Sequence, residues 1–175
     1  GGLKTMGSTL DLFLKRRSCR KFTEEQIPNE VINELLMAAM AAPSACNKCP
    51  WEFYVVKNPS VQEELKKASR YSSYNSPLII IVCGNTSRSL SKKDNDYWIQ
   101  DCSAAVENLL LAATSLGLGS CWCGLSPMEI PVRRVRETLH LDETLIPMAL
   151  IHLGYPAEEL DARTQYNEEY IHIIE

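Results

Sequence analysis

Arg16-Arg17-Ser18-Cys19-Arg20 gathers three guanidiniums and a hydroxyl into five residues. Each arginine presents a planar fork of donors that matches phosphate oxygens two at a time, so the stretch can form a compact anion site. Further on, Pro43-Ser44-Ala45-Cys46-Asn47-Lys48-Cys49-Pro50-Trp51 is a run of small, polar and turn-forming residues that ends in an aromatic. Such a run lets backbone amides and a short carboxamide come close to a flat polar ligand. Together the two stretches predict a ligand with a phosphate at one end and an aromatic heterocycle at the other. Taken alone, the basic cluster also fits a solvated helix end, and the rest of the chain has to decide between the two.

The elements that position these stretches follow from apolar spacing. Ser8 and Thr9 can cap a short helix with Leu10, Phe13 and Leu14 on one side, and that helix delivers Arg16 to Arg20 at its end. Pro28 suits a first helical position, and Val31, Ile32, Leu35, Leu36, Ala39 and Met40 then recur at helical spacing until Pro43 stops the helix. Trp51 to Val56 reads as a strand, and Pro59 starts another helix to about Ala68. Leu78-Ile79-Ile80-Ile81-Val82-Cys83 is continuously apolar, as a central strand covered on both faces would be. Asn85 to Asp96 is polar and predicts a mobile surface loop. The longest helix is expected from about Trp98 to Leu116, stopped by Gly117 and apolar nearly all round, hence buried at a domain centre or between subunits. Ser120 to Leu125 and Met148 to Leu153 predict further strands, with a helix from Pro131 to about Leu139 between them. From Pro156 the chain is charged and loop-like until the apolar tip Ile171-His172-Ile173-Ile174, which is too short to fold alone.

Interleaved strands and helices without repeats or linkers predict one α+β or α/β domain, and 175 residues, 45% of them hydrophobic, can bury its core. A net charge of -4 leaves no basic excess for a dedicated nucleic-acid binder. No apolar run approaches the roughly 18–20 residues of a membrane span. Gly1 to Thr9 is small and polar, so no secretory signal is expected there. Seven cysteines, an odd count placed mostly in apolar segments, point to a reduced cytoplasmic protein that uses cysteine as a small hydrophobe. Cys46-x-x-Cys49 is read as structural, with a redox pair or half a metal site as the alternatives. Cys19 is read as packing behind the arginines, with a reactive thiol as its alternative. His152 lies in an apolar strand pattern and reads as a core histidine. Trp51 and Trp122 read as core or as stacking partners of a ligand.

Four motifs in this order carry a resemblance: Arg16-Arg17-Ser18-x-Arg20-Lys21-Phe22, Pro43-Ser44-x-x-Asn47-x-x-Pro50-Trp51-x-Phe53, Gly117-Leu118-Gly119-Ser120-Cys121-Trp122-x-Gly124 and Gly154-Tyr155-Pro156. The chain resembles the nitroreductase family of flavin enzymes from about Leu12 to His172. The resemblance implies an α+β fold with a central, mostly antiparallel sheet, and an intertwined homodimer with one FMN per subunit at the interface. It makes residues 1–175 one FMN-binding domain, with a tail of about 157–175 adding a strand to the partner's sheet. It gives Arg16, Arg17, Ser18 and Arg20 to the FMN phosphate, ribityl chain and pyrimidine edge. Pro43, Ser44 and Asn47 would reach the flavin of the partner subunit. Trp122, Cys123 and Gly124 would border the isoalloxazine, with an amide there donating to N5, and Arg163 would close on the phosphate. Two departures stand out: Cys49 and Gln165 replace a frequent glutamine and a frequent basic residue. The implied activity is transfer of hydride from NADH or NADPH to the flavin N5, then of electrons to a nitroaromatic, quinone or similar small acceptor, with no catalytic side chain required. The alternatives are a specialised flavin enzyme of the same fold, dehalogenating or flavin-consuming, and a non-catalytic dimer binding flavin, or metal through Cys46 and Cys49.

Overall fold

The apolar run at Leu78 becomes the centre of a four-stranded sheet. In the computed structural model, which describes residues 9–90 and 96–175, the strands are β1 (Trp51–Val56), β2 (Leu78–Asn85), β3 (Gly119–Gly124) and β4 (Leu145–Gly154). They pair antiparallel throughout in the order β1-β2-β4-β3, so β2 and β4 are interior and β1 and β3 are edges. The helices are α1 (Asp11–Lys15), α2 (Asn29–Met40), α3 (Pro59–Lys66), α4 (Tyr97–Ser115) and α5 (Glu129–Leu139).

Three layers explain why β2 carries no polar alternation. Leu78, Ile80 and Val82 point into a core shared with α2 and α4, while Ile79, Ile81 and Cys83 point into a second core shared with α3 and α5. Both faces are covered, so every second residue gains nothing from being polar. Burying each of these isoleucines contributes about 2 kcal/mol. Strand β4 is treated the same way, with Ala149, Ile151 and Leu153 on one side and Leu150 on the other.

Boundaries shift where capping chemistry differs from expectation. Leu10, not Thr9, caps α1, without a side-chain bond, and Ser8 lies outside the described residues. Pro28 is the cap of α2 rather than its first residue, and α5 begins at Glu129, placing Pro131 inside its first turn, where no backbone N–H is required. Helix α4 runs one residue earlier than expected at each end, and Gly117 follows it at φ 77°, the left-handed geometry that lets the chain turn back into β3. The expected mobile loop begins inside β2 at Asn85, and its 91–95 portion lies outside the described residues. Ile171, Ile173 and Ile174 join no strand and stay exposed.

His152 is fully buried on β4. Its Nε2 lies 2.9 Å from the Ser72 carbonyl oxygen, and Nδ1 lies 2.7 Å from Ser76 Oγ. A carbonyl only accepts, so Nε2 carries the proton and Nδ1 accepts from the serine hydroxyl. This is the core histidine expected. Burial pushes its pKa from 6.5 down to about 4. The unfolded chain therefore takes up the proton first as pH falls, and stability drops between pH 6.5 and about 4, then loses no more from this group. The difference amounts to about 3 kcal/mol. Urea unfolding in neutral and mildly acidic buffer should show a lower midpoint in acid, and His152→Gln should flatten that drop; an equal drop in both proteins would assign it elsewhere.

Candidate functional site

Arg16 leaves α1 with φ -59° and ψ 122°, so the basic stretch runs extended from the helix end. It lies along β3: Ser18 bridges Ser120 in parallel, and the Cys19 N–H donates to the Ser120 carbonyl at 2.8 Å. Cys19 turns inward and is buried, its thiol donating to the Lys21 carbonyl at 3.2 Å. Burial pushes that thiol's pKa up, which fits packing rather than a reactive thiolate. Arg20 turns outward, with Nε donating to Tyr74 Oη at 3.2 Å and its backbone N–H donating to Glu158 Oε1 at 3.1 Å.

Arg16 lines a cleft of about 260 Å³ together with Phe13, Leu14, Arg163, Thr164 and Gln165. The Arg163 N–H donates to the Leu14 carbonyl at 3.0 Å, which ties the C-terminal segment beneath α1. Two guanidiniums far apart in sequence therefore share one concave, polar space. Arg16 Nε also lies 3.7 Å from Glu107 Oε1 on α4. Desolvation pushes the Glu107 carboxyl pKa up, and the Arg16 charge partly opposes this. Arg17 does not enter this cleft. It lines a smaller one with Lys15, Cys19, Glu158 and Leu160, and its Nη1 donates to the Asp161 carbonyl.

On β3 the side chains alternate as the pleat requires. Cys121 and Cys123 are buried, while Trp122, at 37% exposure, and Gly124 face out on the opposite side. Trp51 is core, but Trp122 is not. A Cβ built at Gly124 would meet no heavy atom within 4 Å, so a flat ligand can approach this backbone without a side chain in the way.

The 43–49 segment sits elsewhere. Pro43, Ser44 and Ala45 line a cleft of about 390 Å³ with Tyr97, Gln100, Asp101 and Ala104 of α4. Cys46, Asn47 and Cys49 take φ values of 49°, 52° and 46°, left-handed geometry that is uncommon outside glycine. Ser44 Oγ closes the segment by accepting from the Cys49 N–H at 2.9 Å, and Cys49 Sγ lies 3.5 Å from Asn47 Oδ1. Asp101 Oδ1 accepts from the Ala45 N–H at 2.8 Å. Asp101 escaped the sequence reading; its one signal there is an acid early in a mostly apolar helix. The segment and Arg16 are held on α4 at Asp101 and Glu107, which an ideal helix separates by about 9 Å along its axis and about 120° around it. The structure thus brings Arg16 to Arg163 and sets Ser18 and Arg20 beside β3, but keeps Pro43, Ser44 and Asn47 apart from them. Among the described residues, no three His, Cys, Asp or Glu side chains gather as a metal site requires.

Two arginines in one cleft, with an open glycine on the edge strand beside their stretch, form the candidate site, and the 43–49 segment of the same chain lies outside it. The Nitroreductase family model matches residues 13–73 and 70–155. A protein of Methanothermobacter thermautotrophicus named "Putative NADH dehydrogenase/NAD(P)H nitroreductase" is 40% identical over 166 residues, 94% of this chain and 85% of its own. A solved structure from Bacteroides thetaiotaomicron under the same name superposes with a TM-score of 0.89 at 37% identity, covering 97% of this chain and 98% of the other. An FMN-dependent nitroreductase of Clostridium difficile R20291 gives 0.85 at 28% identity, with 94% and 98% covered. The chain belongs to the nitroreductase family, and its fold is that of the family.

The approach of the basic stretch to β3 depends on Gly119, where a Cβ would fall 2.7 Å from Cys19 Sγ and 2.8 Å from Cys19 Cβ. Gly119→Ala should cost about 1–3 kcal/mol, the range for overpacking a tight contact, and loosen the Ser18–Ser120 bridge. Thermal unfolding checks this, and an unchanged melting temperature would show that the contact yields freely.

Proposed function

We propose that the protein is an FMN-dependent oxidoreductase that takes reducing equivalents from NADH or NADPH and delivers them to a small acceptor such as a nitroaromatic or a quinone. The observation that carries the proposal is the convergence of Arg16 and Arg163 in one cleft, at the end of the segment that lies along β3. An FMN phosphate carries close to two negative charges, and two forked guanidiniums match it. Arg16 and Arg163 would hold the phosphate, Ser18 the ribityl chain and Arg20 the pyrimidine edge. Trp122, Cys123 and Gly124 would border the ring. Bound FMN would supply the hydride and electron chemistry. The chain's own part is to bind, orient and exclude water; among its histidines, His152 is committed to the core.

The working unit is a homodimer in this reading. Asn47 is exposed and the segment carrying it lies apart from the arginines of its own chain, so a second copy is the natural recipient of Pro43, Ser44 and Asn47. The exposed Ile171, Ile173 and Ile174 would be covered by the same partner, the 157–175 tail adding a strand to its sheet. Residues 1–175 would act as one FMN-binding domain. No helix among the described residues is long and apolar enough to cross a membrane. All seven cysteines are free, which supports a reducing compartment, the cytoplasm.

An absorption spectrum of the purified protein, followed by anaerobic addition of NADH and then NADPH, tests this directly. A flavin spectrum that bleaches is the expected result; a colourless protein that takes up no added FMN would overturn the proposal. Arg16→Ala should weaken FMN binding by about 10-fold or more, as loss of a charged hydrogen bond does, while the dimer persists. Flavin titration and sedimentation measure the two, and unchanged affinity would remove Arg16 from the phosphate site.

A further inference from the structure

Asp101 is only 4% exposed, and the chemistry proposed above gives its charge no role. Oδ1 holds the Ala45 N–H at 2.8 Å, and among the described residues Oδ2 has no hydrogen-bond partner. A buried carboxylate with an unmet oxygen is strongly unfavourable, and packing alone gives no reason to keep it. The N–H it holds opens the segment in which Cys46, Asn47 and Cys49 all have positive φ. Such conformations persist only where the surroundings over-determine them. Within the segment, Asn47 N–H donates to the Ser44 carbonyl at 3.0 Å and Lys48 N–H to the Ala45 carbonyl at 3.2 Å. Those bonds fix its internal shape but not its place on the molecule. Among the described residues, two side chains supply the place: Arg88 Nη2, 3.4 Å from the Cys49 carbonyl at the far end, and Asp101 at the near end.

We propose that Asp101 is the positioning residue of the 43–49 segment. Its carboxylate fixes the Ala45 N–H by a charge-assisted bond and so sets the direction in which Ser44 and Asn47 meet the ligand. This rests on the reading that these residues border FMN across the dimer.

The test uses the full chain with Asp101→Ala and Asp101→Asn. Hydrogen exchange at the Ala45 amide reports the anchor without any cofactor, and titration with FMN reports what the anchor does. In Asp101→Ala the amide should exchange at least about 10-fold faster, and FMN should bind about 10-fold more weakly, because ordering the segment then falls to the ligand. Asp101→Asn keeps an oxygen for the amide and removes a buried charge, so it should restore both readouts to within about 3-fold and melt no lower than wild type. Wild-type exchange and affinity in Asp101→Ala would overturn the proposal, as would a melting loss in that variant with FMN affinity unchanged. An Asn variant as impaired as the Ala variant would also overturn it. If wild type itself takes up no FMN, the reading of function falls, while the exchange measurement still decides whether Asp101 holds the segment.

Discussion

The packing of α4 on the face of β2 and β4 is the contact from which the rest of the molecule is hung. Ala105, Val106, Leu109 and Ala113 are wholly buried there, beside Ile80, Val82, Ala149 and Ile151. Small residues let the helix come close, and the far side of that closeness is felt at Gly84, where a Cβ would lie 2.3 Å from the Trp98 ring. A helix fixed this firmly can serve as a mount. Asp101 carries the 43–49 segment, Asn108 Nδ2 donates to the Ala38 carbonyl at 3.0 Å and so registers α2, and Glu107 sits beside Arg16.

Polar side chains on an apolar helix are costly unless each meets a partner. Here they are spaced so that each meets a different piece of chain, which turns the helix into a ruler between loops that are otherwise unconnected. Glu107 shows the compromise involved. Its charge holds Arg16 in place but also offsets part of the positive potential in the cleft, so the net attraction for an anion depends on Arg163 arriving from the tail. Arg17, spent on the Asp161 carbonyl, helps to bring that tail in. Basic residues adjacent in sequence thus do different jobs: one lines the cleft and the next fastens the segment that brings Arg163 to it.

How much of this was legible beforehand depended on the range of the forces involved. Strand β1 was readable to the residue, and β2 nearly so, because aromatic and β-branched runs covered on both faces leave an unambiguous pattern. Helix ends moved by a residue or two, since Pro28 and Pro131 are compatible with several positions in a first turn. The basic stretch was legible as chemistry, but not the separation of Arg16 from Arg17, which depends on where the chain leaves α1. Trp122 and Trp51 looked alike as strand aromatics, and both lie on edge strands; residues of α2 and α4 cover Trp51, while Trp122 is left exposed on β3. Asp101 was invisible because its meaning lies in a contact with Ala45, distant in sequence and made through a backbone amide that no residue type advertises.

The order of the strands also sets a problem of timing. Strand β1 can meet β2 and β3 can meet β4 through local connections, but the join between the two halves pairs Leu78 with Leu153, far down the chain. Contacts of that kind form slowly. Until β4 has been synthesised, one edge of Leu78-Ile79-Ile80-Ile81-Val82-Cys83 has no native partner, and it is uncharged, free of proline and rich in β-branched residues. A segment of that composition pairs readily with copies of itself. The strand that makes the finished protein's core secure is, during its making, the part most in need of shelter.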